Sequence, residues 1–130
     1  MPSDRQHAAF DYLLQQFSAS ATAPAAQRWR YLEAAHVLVQ NRLGLHLRIH
    51  WCMRRYALEV GDAQEARGQW RHMAYALWGS VRRRVPQGNN GRALVHPLRT
   101  MVPTPAVRSC ITEALQAVTP AADCALCWPM

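Results

Sequence analysis

Lysine is absent from the 130-residue chain, so all fifteen basic side chains are arginine. Arginine suits planar, bidentate contact with phosphate or carboxylate, although a guanine- and cytosine-rich coding sequence produces the same bias. Only eight acidic residues oppose the arginines, leaving a net charge of +7. Such a charge argues for solubility and general anion attraction, not for a fold or a ligand. No apolar run approaches the roughly eighteen residues that a membrane span requires, and the opening MPSDRQH lacks the basic-then-apolar design of a signal peptide. Cysteine is scarce, with four residues, which fits a cytoplasmic protein with reduced thiols. There is no phosphate loop, dinucleotide fingerprint, nucleophile elbow or His-Glu-x-x-His pair. No reaction is therefore readable, and the balance leans away from an enzyme.

What is present is helical patterning. Half of the residues are apolar, enough for one core without disulfide staples. His7 to Phe17 reads as a helix with Phe10, Leu13, Leu14 and Phe17 on one face. A small-residue connector follows, Ser18 to Ala26. A second helix over about Pro24 to Gln40 then aligns Trp29, Leu32, Ala35, His36 and Val39. From Leu43 to Met53 the apolar residues alternate as in a strand. A helical face of Leu45, Ile49, Cys52, Met53, Tyr56 and Val60 competes, and it wins because β-branched residues are few and the pattern outruns an ordinary strand. Gly61 and Asp62 then read as a helix stop and an N-cap, with Glu65 as the capping-box partner. Ala66, Trp70, Met73, Leu77 and Val81 form the expected buried stripe of the fourth helix. Pro86 ends that helix. The loop Gln87 to Gly91 calls for positive φ, and Arg92 to Pro103 reads as irregular. Thr104 and Pro105 cap a last helix to about Val118.

The expectation is an all-α, compact four- to five-helix bundle of antiparallel helical hairpins over residues 1–118, with a loosely held tail over 119–130. A faint echo of Trp29-Arg30 in Trp70-Arg71 admits tetratricopeptide-like pairs. Two pairs are too few for a solenoid, so the compact bundle is preferred.

The stretch from Glu33 to Arg55 holds three of the six histidines. Glu33 and His36 are three residues apart on one helix, and His46 and His50 four apart on the next. In an antiparallel hairpin, a rise of about 1.5 Å per residue puts His36 about 7 Å before the turn, and His46 and His50 about 3 and 9 Å beyond it. Helices about 8–10 Å apart let such side chains converge. Three imidazoles and a carboxylate from facing helices form a donor set for zinc or iron. The same residues could equally satisfy one another and the main chain as a buried polar network, with no cofactor at all. Of the remaining histidines, His72 falls in a polar gap of its helix, fitting a surface position or a hydrogen bond from the fourth helix. His96 lies in the irregular segment, and His7 reads as solvent-exposed. Cys124 and Cys127 make one Cys-x-x-Cys near the C-terminus, a weak redox or metal candidate without a partner pair. Cys52 and Cys110 read as core filler.

The motifs Glu33-x-x-His36-Val37-Leu38-x-Gln40, His46-x-x-x-His50-Trp51 with Met53, Gly68-Gln69 with Arg71, and Pro86-x-Gly88-Asn89 with Gly91 resemble a small bacterial family, domain-of-unknown-function family 3703. The resemblance runs from about Trp29 to Val107. It implies an all-helical fold and an origin near metal-handling genes, but no activity. The chain departs from the expected loop pattern, with Arg92 in place of a second glycine and Leu94 in place of an asparagine.

Three functional readings follow. The first is transition-metal binding, structural or regulatory, by Glu33, His36, His46 and His50. The second is a helical-hairpin module that docks a partner protein or nucleic acid through Arg48, Arg55, Arg82, Arg83 and Arg84, while five tryptophans and four tyrosines supply aromatic surface for a homo-oligomer. The third is an accessory subunit of a biosynthetic enzyme.

Overall fold

The computed structural model describes residues 3–82, 88–97 and 99–119, and all structural statements concern these residues. Five helices follow one another: α1 (Ser3–Ala19), α2 (Ala25–Val39), α3 (Leu43–Glu59), α4 (Ala63–Arg82) and α5 (Pro105–Ala117). There is no strand among the described residues. Leu43 to Met53 is helical, as the shortage of β-branched residues predicts. No helix is long and apolar enough to cross a membrane.

The chain punctuates its helices as local chemistry demands. At the end of α3, Gly61 takes φ 78°. Its N–H donates to the Leu58 carbonyl, and the Asp62 N–H donates to that of Ala57. These two bonds satisfy carbonyls that the helix end would otherwise leave unpaired. Asp62 then accepts the Glu65 main-chain N–H at 3.0 Å, an N-cap for α4. The reciprocal half of the expected capping box does not form: the Glu65 carboxylate turns to Arg92 and to the Ala93 N–H instead. Thr104 caps α5 by accepting from the Val107 N–H, with Pro105 in the first turn.

Packing pairs α1 with α2 and, most extensively, α3 with α4, while α5 lies across α1 and α2. Phe10, Leu13, Leu32, Val39, Ile49, Met53 and Ala57 are buried in the shared core. Trp29 and Phe17 both meet the Tyr56 ring edge to face, at 4.9 and 5.0 Å between centroids.

The expected buried stripe of α4 is corrected. Trp70, Leu77 and Val81 are 52%, 50% and 78% exposed. The helix instead turns Glu65, Ala66, Gln69, His72 and Ala76 inward. Hydrophobic periodicity misreads this helix because its inner face is chosen for hydrogen bonding to its neighbours, not for apolar burial.

Candidate metal centre

Three helix positions bring the imidazoles together. His36 lies in the last turn of α2, and His46 and His50 lie one turn apart near the start of α3. The break at Gln40 to Arg42 folds α3 back on α2. All three rings are buried, with exposures of 2%, 9% and 1%. Nε2 of His36 lies 2.9 Å from Nε2 of His46 and 3.2 Å from Nε2 of His50. One ring nitrogen from each lies within 4.8 Å of the other two, an arrangement able to hold a metal ion.

The outer nitrogens define the tautomers. His36 Nδ1 is 2.6 Å from the Asn89 carbonyl. A carbonyl only accepts, so Nδ1 carries the hydrogen and a neutral His36 presents a bare lone pair at Nε2. His50 Nδ1 is 2.7 Å from Oε1 of Gln69. The Gln69 amide is oriented by its nitrogen, which donates to the Gly91 carbonyl at 3.0 Å and to Glu65 at 3.3 Å. Its oxygen therefore faces His50 and accepts, and His50 Nε2 is bare as well. His46 carries at most one hydrogen at Nε2, enough for one neighbour. The 3.2 Å contact between His36 and His50 is then a meeting of two lone pairs.

A proton is a poor mediator there. Burial lowers the pKa of His36 well below its ordinary value, that of His46 to about 4 and that of His50 to about 3, with the neighbouring imidazoles adding to the effect. Neutral imidazoles anchored at Nδ1 and converging at Nε2 are how proteins present histidine to metals.

The loop after α4 supplies the anchor for His36, as α4 itself supplies Gln69 for His50. Asn89 is 1% exposed. Its side-chain nitrogen donates to the carbonyls of His96 and Arg99, and its side-chain oxygen accepts the Gly91 N–H. Gly91 has φ +79°, and a Cβ there would stand 2.7 Å from Cδ2 of His36. Glycine is needed both for the left-handed backbone and for the approach to the ring.

Glu33, proposed from sequence to share the site, is engaged elsewhere. Its carboxylate accepts from Arg92 Nη1 at 3.2 Å, and Arg92 Nε donates to Glu65 at 2.6 Å. The guanidinium also lies 3.8 Å from the centre of the Trp29 ring. Burial raises the Glu33 pKa, and Arg92 only partly counters it. Glu33 thus ties α2 to α4 through Arg92, beside the imidazoles rather than among them. Arg92, where a glycine was expected, is the centre of this brace.

Residues that sequence reasoning missed are Gln69 and Asn89 as anchors and Glu65 as the acceptor for Arg92; of the two expectations for His72, the surface position gives way to the hydrogen bond from the fourth helix, since the residue is 3% exposed and bonds to the Val95 main chain. Their signal was the polar inner face of α4: Glu65, Gln69 and His72 recur at four- and three-residue spacing on one side of the helix.

The other candidates lie apart. Arg48 and Arg55 are exposed on α3, where Arg48 meets Asp11 at 3.7 Å. The side chains of Arg82, Arg83 and Arg84 lie outside the described residues, as do Cys124 and Cys127. Cys52 and Cys110 are free, half-buried thiols whose pKa values burial pushes up. His7 is exposed, 3.7 Å from Asp11. His96 is exposed with its ring 5.7 Å from that of Tyr75.

The profile of a protein family of unknown function, DUF3703, matches residues 4–111. The chain belongs to this family. Comparison with curated proteins and with solved structures returns no match. In this DUF3703 chain the matched span covers nearly all of α1, the whole of α2, α3 and α4, and α5 only as far as Ile111, and it includes the three converging imidazoles and the loop that anchors His36.

Proposed function

We propose that this DUF3703 protein binds a transition-metal ion through Nε2 of His36, His46 and His50, for a structural or regulatory purpose. The observation that carries the reading is the 3.2 Å approach of two lone pairs, on the buried His36 and His50. Lone pairs at that distance repel unless a cation lies between them, and burial disfavours the imidazolium. Three neutral nitrogens suit zinc or iron(II), which take imidazole at about 2.0–2.1 Å in the zinc case. The anchors on Nδ1 come from α4 and from the 88–97 loop, so a bound ion would join α2, α3, α4 and that loop. The test is elemental analysis of untagged protein beside a His46→Ala/His50→Ala variant. One equivalent of metal in the parent and near none in the variant is expected. Equal, near-zero metal in both overturns the reading.

A second reading, docking of a partner, draws on the outer face of α3 and α4. Trp51, Trp70, Leu77, Trp78 and Val81 are each 45–78% exposed, and Arg54 stacks 5.2 Å from Trp51 and 4.9 Å from Trp70. Aromatic and arginine side chains dominate interface energetics. Salt distinguishes the partners: affinity for nucleic acid falls steeply with ionic strength, whereas docking of a protein on this apolar face does not.

A further inference from the structure

A fourth imidazole stands beside the three. His72, on α4, is 3% exposed, and its ring centre is 5.4 Å from that of His50. Among the three converging rings the corresponding separations are 4.7–4.9 Å. His72 hydrogen-bonds to the Val95 main chain, while its Nε2 is buried with no partner among the described residues. The bond to Val95 therefore runs from Nδ1–H to the carbonyl, and Nε2 keeps its lone pair. This is the construction of His36 and His50, with an anchored Nδ1 and a bare Nε2.

His72 nevertheless does not join the group of nitrogens that lie within 4.8 Å of one another. Nitrogens bound tetrahedrally to one ion lie only about 3.3 Å apart, given bonds of about 2.0–2.1 Å. The neighbouring polar groups cannot complete its hydrogen bonding either. Gln69 spends its amide on His50, Glu65 and Gly91, and Glu65 only accepts. Among the described residues, then, no proton donor is left for His72.

Resting on the metal reading above, we propose that the ion held by His36, His46 and His50 keeps one coordination position for a small protic oxygen ligand, water in the simplest case, and that His72 accepts that ligand's hydrogen bond. His72 is a positioning residue in this arrangement. Three protein ligands with an open fourth position are the pattern of sites that exchange ligands, in contrast to closed structural sites. His46, the most exposed of the four rings at 9%, marks the side on which exchange occurs.

Cobalt(II) loading of the full chain tests this, with azide as an aprotic competitor read through the visible spectrum of the ion. The parent should hold one cobalt whose bands shift with azide. His72→Ala should still hold one cobalt but bind azide about three- to tenfold more tightly, because the displaced water no longer loses a hydrogen bond. His72→Gln, whose amide oxygen accepts, should return toward the parent. His72→Phe fills the space without an acceptor and carries the comparison if the alanine variant fails to fold. Equal azide affinity in the parent and in these acceptor-free variants overturns the proposal. So does a parent spectrum indifferent to azide together with loss of cobalt on substitution, which would make His72 a ligand. Absence of cobalt from the parent removes the metal reading and this one with it, whereas bound cobalt with unchanged azide affinity removes only this one.

Discussion

Replacing Gly91 with alanine probes the contact between the loop and the histidine cluster, and Gly61→Ala is its internal control. Both glycines are left-handed, with φ of +79° and +78°. A left-handed alanine costs about 1–2 kcal/mol at either position. They differ in surroundings: a Cβ at Gly61 meets nothing within 4 Å, whereas at Gly91 it meets the His36 ring at 2.7, 2.9 and 3.1 Å. That ring is held by its 2.6 Å bond to the Asn89 carbonyl, so it cannot swing away freely. Either the ring shifts and loses that bond, or the loop shifts and loses the bond from Gln69 to the Gly91 carbonyl. Each loss is worth about 0.5–1.5 kcal/mol. Gly91→Ala should therefore cost about 1 kcal/mol more than Gly61→Ala, a further drop in Tm of about 3–5 °C for a chain of this size. Thermal or urea unfolding of metal-free protein measures the difference. Zinc titration supplies the second readout, in which only Gly91→Ala should weaken binding. Equal destabilisation with unchanged zinc affinity in both variants would refute the geometry.

Further outcomes follow from the same network. Gln69→Leu removes the acceptor that holds His50 Nδ1 and should lower metal affinity by about 10–100-fold, measured by competition with a chelator. Arg92→Ala removes the cation that pairs with buried Glu65 and with Glu33 and should destabilise the fold by about 2–4 kcal/mol in urea unfolding; a loss under about 0.5 kcal/mol would mean that the brace is unimportant. Acid should destabilise the metal-free protein early. The folded-state pKa values of His46 and His50 lie near 4 and 3, below the unfolded value of 6.5. The unfolded chain thus binds protons first as pH falls, and the stability present above pH 6.5 is lost below it. At pH 5.5 each of these two histidines should remove about 1.4 kcal/mol, and a His50→Gln variant should show a correspondingly shallower pH dependence.

The separation between what was legible and what was not follows the range of the interactions. Helix ends were legible because Gly61, Asp62, Thr104 and Pro105 act on main-chain groups a few residues away. The meeting of His36 with His46 and His50 was legible because one short turn joins their helices. Glu33 shows the limit: it shares a helix with His36 at the expected spacing, yet Arg92, 59 residues away, takes its carboxylate. The inner face of α4 was hidden for a related reason. Its exposed side carries Trp70, Leu77 and Val81, so apolar periodicity points to the wrong face.

By itself, then, the sequence determined the all-helical architecture, the helix boundaries to within a few residues and the hairpin that gathers three imidazoles, because these depend on local propensity, capping and helical period. Only the tertiary structure decided which nitrogens of those imidazoles face inward. That choice belongs to acceptors from distant parts of the chain: Asn89 for His36 and Gln69 for His50. It also decided between the two expectations for His72, burying it as a hydrogen-bonded fourth ring. A hydrogen bond between elements far apart in sequence leaves no periodic trace, and here such bonds govern which lone pairs are free to meet a cation.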